Sequence, residues 1–162
     1  MVIKYIEGIV VKGRGVAGGE GYPDEELTDV VFAALQPSRV KTTHTISKQR
    51  PYFERTIDGF SEIHNGTINV EISPKFFEIL NPDYQVEDCP WVEGYLESFQ
   101  FVKVELVHNT HSYNGLVYFP MSPELKAHKE NNIFELLAPF IEGVNYGDKI
   151  LIKYDSSKLR VK

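Results

Sequence analysis

Residues 64–72 read His64-Asn65-Gly66-Thr67-Ile68-Asn69-Val70-Glu71-Ile72, a turn that opens directly into a strand. The Asn65-Gly66 pair is a strong turn signal because both residues tolerate positive φ. From Thr67 onward apolar and polar residues alternate, which predicts a strand with a buried face formed by Ile68, Val70 and Ile72. The other face presents side-chain oxygens about 7 Å apart, from Thr67, Asn69 and Glu71. Oxygen ligands of this kind suit Mg²⁺ with bound phosphates, although an ordinary hairpin strand with a wet face has the same pattern.

Composition narrows the class of protein. The chain has 162 residues, which suits one domain over residues 1–162, and 42% are hydrophobic, enough for a sizeable core. The net charge of -6 argues against a nucleic-acid partner, because phosphate binding needs a basic face. The single cysteine, Cys89, excludes an intramolecular disulfide and fits a reducing compartment. No signal peptide is apparent, and no apolar run approaches the ~20 residues of a membrane span, so we expect a soluble, cytoplasmic protein.

Strand-like runs recur along the chain, whereas few segments have helical character. The predicted strands are residues 3–11, 40–47, 67–72, 93–99, 101–107, 116–119, 133–139 and 149–154. Short helices are predicted at residues 50–60 and 73–80, each with a proline in its first turn, and Asn114-Gly115 predicts a hairpin turn. The charged tail after the last strand is expected to fray. These elements predict one mostly-β domain, a small barrel whose openings are covered by short helices.

Three further features are candidates for function. A glycine-rich loop, residues 13–21, directly follows the first strand and can bring backbone N–H groups against phosphate oxygens, although a flexible hairpin loop has the same composition. Glu135 interrupts an apolar run, so it lies either on a wet face or in a pocket, where it could act as a base. His108 and His111 have a spacing seen in zinc sites, but solvated turn histidines are the default interpretation.

The order of several motifs is distinctive. They are Gly13-Arg14-Gly15 after a strand, Pro51-Tyr52 with Gly59-Phe60, Gly66-Thr67-Ile68-Asn69-Val70, Asn114-Gly115-Leu116-Val117, Ile133-Phe134-Glu135-Leu136-Leu137-Ala138-Pro139 and Gly147-Asp148-Lys149-Ile150. This order resembles the CTP-dependent riboflavin kinases, a family best known from archaea. The resemblance covers residues 3–18, 51–80 and 95–154. It implies the fold of that family, a six-stranded cradle-loop barrel.

The resemblance also implies an activity, the transfer of the γ-phosphoryl group of CTP to riboflavin to give FMN and CDP. It implies that the glycine loop wraps the nucleotide, through Gly13, Arg14, Gly15, Val16, Ala17 and Gly18. It further implies that Thr67 and Asn69 bind Mg²⁺ beside the phosphates. Glu135 is then expected to contact the flavin near the accepting hydroxyl. Phosphoryl transfer needs mainly positioning and charge neutralisation, so this small set of side chains is sufficient.

The chain departs from the family pattern at three places. The flavin-binding threonine of the family corresponds to Ala127, so the neighbouring His128 becomes the candidate flavin contact. The segment Lys-Leu-Arg-Glu after Ala-Pro is missing, which removes two positive charges. Residues 19–50 form an insertion that either closes the site or supplies replacement cations, for which the candidates are Arg39, Lys41, Lys48 and Arg50. These departures leave open a non-catalytic flavin- or nucleotide-binding barrel of the same descent, a kinase for another small alcohol, or an interaction domain.

Overall fold

A computed structural model describes residues 1–12, 45–121 and 131–162 of the chain. This part is mostly β, with strands β1 (Ile3–Val11), β2 (Ile68–Glu71), β3 (Phe77–Ile79), β4 (Tyr84–Val92), β5 (Tyr95–His108), β6 (His111–Pro120), β7 (Ile133–Leu137), β8 (Lys149–Asp155) and β9 (Leu159–Val161). It also contains helix α1 (Thr45–Glu54) and a 3₁₀ turn (Phe60–Glu62). None of the helices in these three ranges has the length and apolar character needed to cross a bilayer.

Six of the strands form a closed ring. Their order is β5-β6-β7-β2-β1-β8, and β8 pairs back with β5 through Glu105↔Lys153 to Val107↔Leu151. Every neighbouring pair in the ring is antiparallel. β4 extends the sheet from the first half of β5, while β3 and β9 form a separate two-stranded sheet. The prediction of a mostly-β protein is therefore confirmed, with a ring of six strands as its framework.

The main core fills the inside of the ring. Val10, Val70 and Phe134 are buried and occupy one row, because Val10 pairs with Val70 and Val70 pairs with Phe134. The predicted apolar face of β2 is confirmed, since Val70 and Ile72 are buried and Ile68 packs against the same cluster. The polar residues of β2 consequently face away from this core.

A second, aromatic cluster lies on the outer face of the sheet, under α1. The ring of Phe53 is in edge-on contact with those of Phe99, Phe101 and Tyr118, at centroid distances of 5.0, 4.9 and 6.2 Å. Ile46 and Phe53 lie seven residues apart on one helix face, and both are fully buried. Burial of that face stabilises α1, which has Pro51 in its interior. The predicted helix start at residue 50 and the predicted strand at residues 45–47 were wrong, and residues 40–44 lie outside the described ranges.

Strands form at two places where local sequence signals predicted a helix or a turn. Residues 73–80 were expected to form a helix, but Phe77–Ile79 form β3, which pairs with β9 in the tail that was expected to fray. The Asn114-Gly115 pair lies inside β6 and forms no turn. A Cβ atom at Gly115 would be only 2.9 Å from the carbonyl oxygen of Leu137, so the glycine is needed for strand packing. The absence of a side chain there allows β6 and β7 to approach. The actual hairpin turn is at Asn109 and Thr110, which have positive φ angles of 48° and 68°.

Two further strand predictions needed correction. The predicted strands at residues 93–99 and 101–107 are parts of one strand, β5. β4 was not predicted at all, because its pairing with β5 shifts register between Val86 and Cys89 and again between Cys89 and Val92. Such bulges break the alternation of apolar and polar residues on which strand prediction depends.

Candidate functional site

Asn69 and Glu135 lie directly opposite each other on neighbouring strands. β2 runs between β1 and β7, with Asn69 paired to Val11 on one side and to Glu135 on the other. Directly opposite residues in an antiparallel pair have Cβ atoms about 5 Å apart and side chains on the same face. The fold thus brings together three residues that are far apart in sequence, and two of them are predicted site residues.

On its other side β7 pairs with β6, through Leu116↔Leu137 and Val117↔Leu136. Tyr118 directly follows Val117 in β6, as Glu135 directly precedes Leu136 in β7. The hydroxyl group of Tyr118 is buried and donates a hydrogen bond to Oε1 of Gln49, at 2.9 Å. Burial raises the pKa of Tyr118 well above its usual value, and the nearby carboxylates of Glu97 and Glu135 raise it further. Tyr118 therefore stays neutral beside Glu135.

Sequence reasoning missed Gln49 and Tyr118. Gln49 is fully buried, and its Nε2 atom has no hydrogen-bond partner in the described ranges. A signal for it existed in the helical spacing of Ile46, Gln49 and Phe53, which puts the amide on the apolar face of α1. That signal was hidden because residues 40–47 were interpreted as a strand.

The predicted metal ligands are accessible to a ligand. Thr67 immediately precedes β2, and both Thr67 and Asn69 are half-buried on the side away from the ring core. Within the described part of the chain, neither side chain makes a hydrogen bond or an ion pair with another residue. Their oxygens can therefore contact a bound ion or phosphate without first breaking a protein contact. Glu135 is likewise half-buried.

Thr67, Asn69 and Glu135, the predicted site residues that the structure describes, lie at one end of the ring, where β1 and β7 end and β2 and β8 begin. We call this the site end. Backbone hydrogen bonds connect its segments: Val10 N–H to the Asp148 carbonyl at 2.8 Å, Gly147 N–H to the Val10 carbonyl at 2.8 Å, and His64 N–H to the Ala138 carbonyl at 2.9 Å. β1 ends here at Val11, shortly before the glycine loop in the sequence.

Part of the predicted site lies outside the described residues. This applies to the six glycine-loop residues Gly13, Arg14, Gly15, Val16, Ala17 and Gly18, and to Ala127, His128, Arg39 and Lys41. Their contacts with Thr67, Asn69 and Glu135 stay predictions.

Arg50, a candidate replacement cation, has structural partners. Its guanidinium group donates to the carboxylate of Glu54 at 3.0 Å, to Oδ1 of Asn65 at 2.7 Å, and to the backbone carbonyls of Phe60 and Ile63. It also lies over the ring of Phe60, 5.1 Å from the centroid. These contacts fasten α1 to the turn that leads into β2, so Arg50 positions the site end and is not free to bind phosphate.

His108 and His111 each have a local partner. Nε2 of the buried His108 lies 2.9 Å from Oδ2 of Asp148, and Nδ1 of His111 lies 3.0 Å from the backbone carbonyl oxygen of Asn109. The pKa of Asp148 is lowered mainly by the hydrogen bond that it accepts from the backbone N–H of Asn145, and also by its contact with His108. Among the residues described, no three His, Cys, Asp or Glu side chains are grouped as metal ligands.

Comparison with known proteins gives no family assignment. No family model matches the chain, and no curated protein matches it. The geometry of the site end and the motif resemblance are therefore the available support for a function.

Proposed function

We propose that this protein is a phosphotransferase of the CTP-dependent riboflavin kinase type, built on the cradle-loop barrel of that family and acting in the cytoplasm. The main support is the pairing of Asn69 with Glu135, with β1 on the other side of Asn69 leading towards the glycine loop. A phosphoryl transfer requires that the phosphates, their metal ion and the accepting hydroxyl come together in one place. Two of the segments that the resemblance assigns to these tasks, β2 and β7, pair directly, and β1, which precedes the glycine loop in the sequence, pairs with β2.

The proposed roles follow from the chemistry of the side chains. The hydroxyl group of Thr67 and the amide oxygen of Asn69 are hard oxygen donors with no protein partner in the described ranges, and they fit Mg²⁺. Bound Mg²⁺ would neutralise charge on the phosphate oxygens. Glu135 orients the 5′-hydroxyl of riboflavin and takes up its proton. The bond between the γ-phosphorus and the bridging oxygen of CTP breaks, a bond to the riboflavin oxygen forms, and CDP leaves.

One observation favours a second candidate function. The family supplies two cations after its Ala-Pro motif that this chain lacks, and Arg50 is engaged with Glu54, Asn65 and two carbonyls. A site with fewer cations stabilises a transferring phosphoryl group less well. The second candidate is therefore a barrel of the same descent that binds a flavin or nucleotide without transferring phosphate, or that phosphorylates another small alcohol.

The direct test is to mix the pure protein with riboflavin, Mg²⁺ and each nucleoside triphosphate in turn, and to measure FMN. Formation of FMN with CTP is the expected result. Tight riboflavin binding without turnover would favour the second candidate, and no turnover with any triphosphate would refute the kinase proposal.

Asn69→Leu tests the metal role. Leucine keeps similar bulk and suits a strand, so we expect a change in unfolding free energy within about 0.5 kcal/mol. Calorimetry should show that Mg²⁺-dependent CTP binding is lost, whereas Asn69→Asp retains metal binding through its carboxylate. Asn114→Leu is the matched control and should bind Mg-CTP like the parent protein, because Asn114 is an exposed strand asparagine that lies opposite Glu105 and not opposite a predicted site residue. If Asn69→Leu binds Mg-CTP like the parent protein, the metal assignment is wrong.

A further inference from the structure

We propose that Phe140 and His64 form a platform on which a flat aromatic ring of a substrate stacks. This inference rests on the proposed function and adds the part of the site that holds a ring. The ring is either the base of the nucleotide or the tricyclic ring of the flavin, and the chemistry of stacking is the same for both.

The two side chains form an exposed aromatic pair. Phe140 has 68% of its surface exposed, and its ring centroid lies 5.2 Å from that of His64, at an interplanar angle of 61°. An edge-to-face contact of this kind uses only part of each aromatic surface. Single exposed apolar residues are common and need no explanation by themselves. The position of this pair, and not its exposure alone, supports a role in binding.

The pair lies at the site end. His64 is three residues before Thr67, which places it within about 10 Å along the chain, and Phe140 follows β7, five residues after Glu135. The N–H of His64 donates to the carbonyl of Ala138 at 2.9 Å, so the segments that bear the two rings are hydrogen-bonded to each other. The N–H of Gly66 donates in turn to the carbonyl of His64 at 2.9 Å.

Further contacts hold the His64 segment in place. Asn65 accepts a hydrogen bond from Nε of Arg50 at 2.7 Å, and the carbonyl of Ile63 accepts another from the same guanidinium group. The residues on both sides of His64 are thus fixed to α1. Because both ring-bearing segments are connected by hydrogen bonds to the framework, the platform is pre-organised, and little conformational entropy is lost when a ring stacks on it.

Phe140→Ala tests the platform, and Phe76→Ala is its matched control. Phe76 is also exposed, at 52%, but it precedes β3 where β2 ends and β7 begins, away from the site end. The probes are CTP, inorganic tripolyphosphate and riboflavin, with binding measured by calorimetry and, for riboflavin, by fluorescence quenching. Loss of one stacked ring should weaken binding on the order of tenfold.

We expect Phe140→Ala to weaken the binding of CTP or of riboflavin, and to leave tripolyphosphate binding and the melting temperature unchanged. Phe140→Trp should restore binding, and Phe76→Ala should behave like the parent protein. A loss confined to CTP identifies the nucleobase as the stacked ring, and a loss confined to riboflavin identifies the flavin.

Three results would overturn the platform. In the first, Phe140→Ala binds CTP and riboflavin as tightly as the parent protein does. In the second, its affinity for both ligands falls equally, and in the third its affinity for tripolyphosphate falls as well. The last two would indicate a distorted loop. In all three cases the parent protein still binds its substrates, so the proposed function survives. A parent protein that binds neither CTP nor riboflavin overturns the proposed function together with the platform.

Discussion

Substitutions at the buried, hydrogen-bonded pair Tyr118 and Gln49 should have strongly non-additive effects on the free energy of unfolding. Tyr118→Phe removes the donor and leaves Oε1 of the fully buried Gln49 without a partner, which should cost about 1–3 kcal/mol. Gln49→Leu leaves the Tyr118 hydroxyl without its hydrogen-bond acceptor, which should destabilise the protein by a similar amount. The same substitution also removes the buried Nε2 atom, which has no partner in the described ranges. These two effects oppose each other, so we expect the unfolding free energy of Gln49→Leu to change little.

The double variant leaves no buried polar atom of this pair without a partner, and it should be as stable as the parent protein or slightly more stable. The expected coupling energy is about 2 kcal/mol. Urea unfolding measures it, and a thermal scan should show about 2–4 °C per kcal/mol for a chain of this size. Tyr154→Phe serves as the control, because Tyr154 is buried in the other cluster and its hydroxyl makes no hydrogen bond with a described residue. Simple additivity of the two substitutions would refute this reasoning.

Other predictions concern backbone packing, pH and the free cysteine. Gly8→Ala should destabilise by about 3 kcal/mol in urea unfolding, because its Cβ atom would lie 2.5 Å from Cγ1 of Val70 and 2.7 Å from the carbonyl oxygen of Glu71. A Cβ atom at Gly94 would have no atom within 4 Å, so Gly94→Ala should destabilise by about 1 kcal/mol through its φ of 80° alone. Equal losses of unfolding free energy for the two variants would exclude a clash at Gly8. The lowered pKa of Asp148 means that its contribution to stability is present above the ordinary pKa of 3.8 and is lost as the pH falls through the lowered value. Asp148→Asn should therefore flatten the fall in stability between about pH 5 and pH 2, and an unchanged slope would contradict this. Burial raises the pKa of the Cys89 thiol to about 11, so a thiol reagent at neutral pH should label the native protein far more slowly than the unfolded protein.

The alternation of residues 67–72 was sufficient to predict both faces of β2. It placed Val70 and Ile72 in the core and Asn69 on the opposite face, as the structure shows. The pattern could not reveal that Glu135 is the cross-strand partner of Asn69, because register depends on how three strands meet. The motif resemblance supplied that association, and the pairing of β2 with β7 makes the two residues neighbours.

Local signals failed where long-range pairing decides the structure. Asn114-Gly115 has the composition of a hairpin turn, but in β6 the glycine serves the close approach of Leu137. The strand at Phe77–Ile79 depends on a partner, β9, about 80 residues later in the chain. Helix propensity and capping signals at Ser73-Pro74 contain no information about such a partner, so single-sequence reasoning favoured a helix there.

The position of Asn69 follows from the packing of its neighbour in the core. β2 has only four residues, and it pairs with both β1 and β7, so its register is determined from two sides. A slip of one residue would turn Val70 towards solvent and Asn69 towards the core, which burial of Val70 between Val10 and Phe134 prevents. Gly8 strengthens this constraint, because it leaves room for Val70 at the contact between β1 and β2. Residues with no polar side-chain atom thus determine that Asn69 lies opposite Glu135, and substitutions at Gly8 or Val70 should affect ligand binding as well as stability.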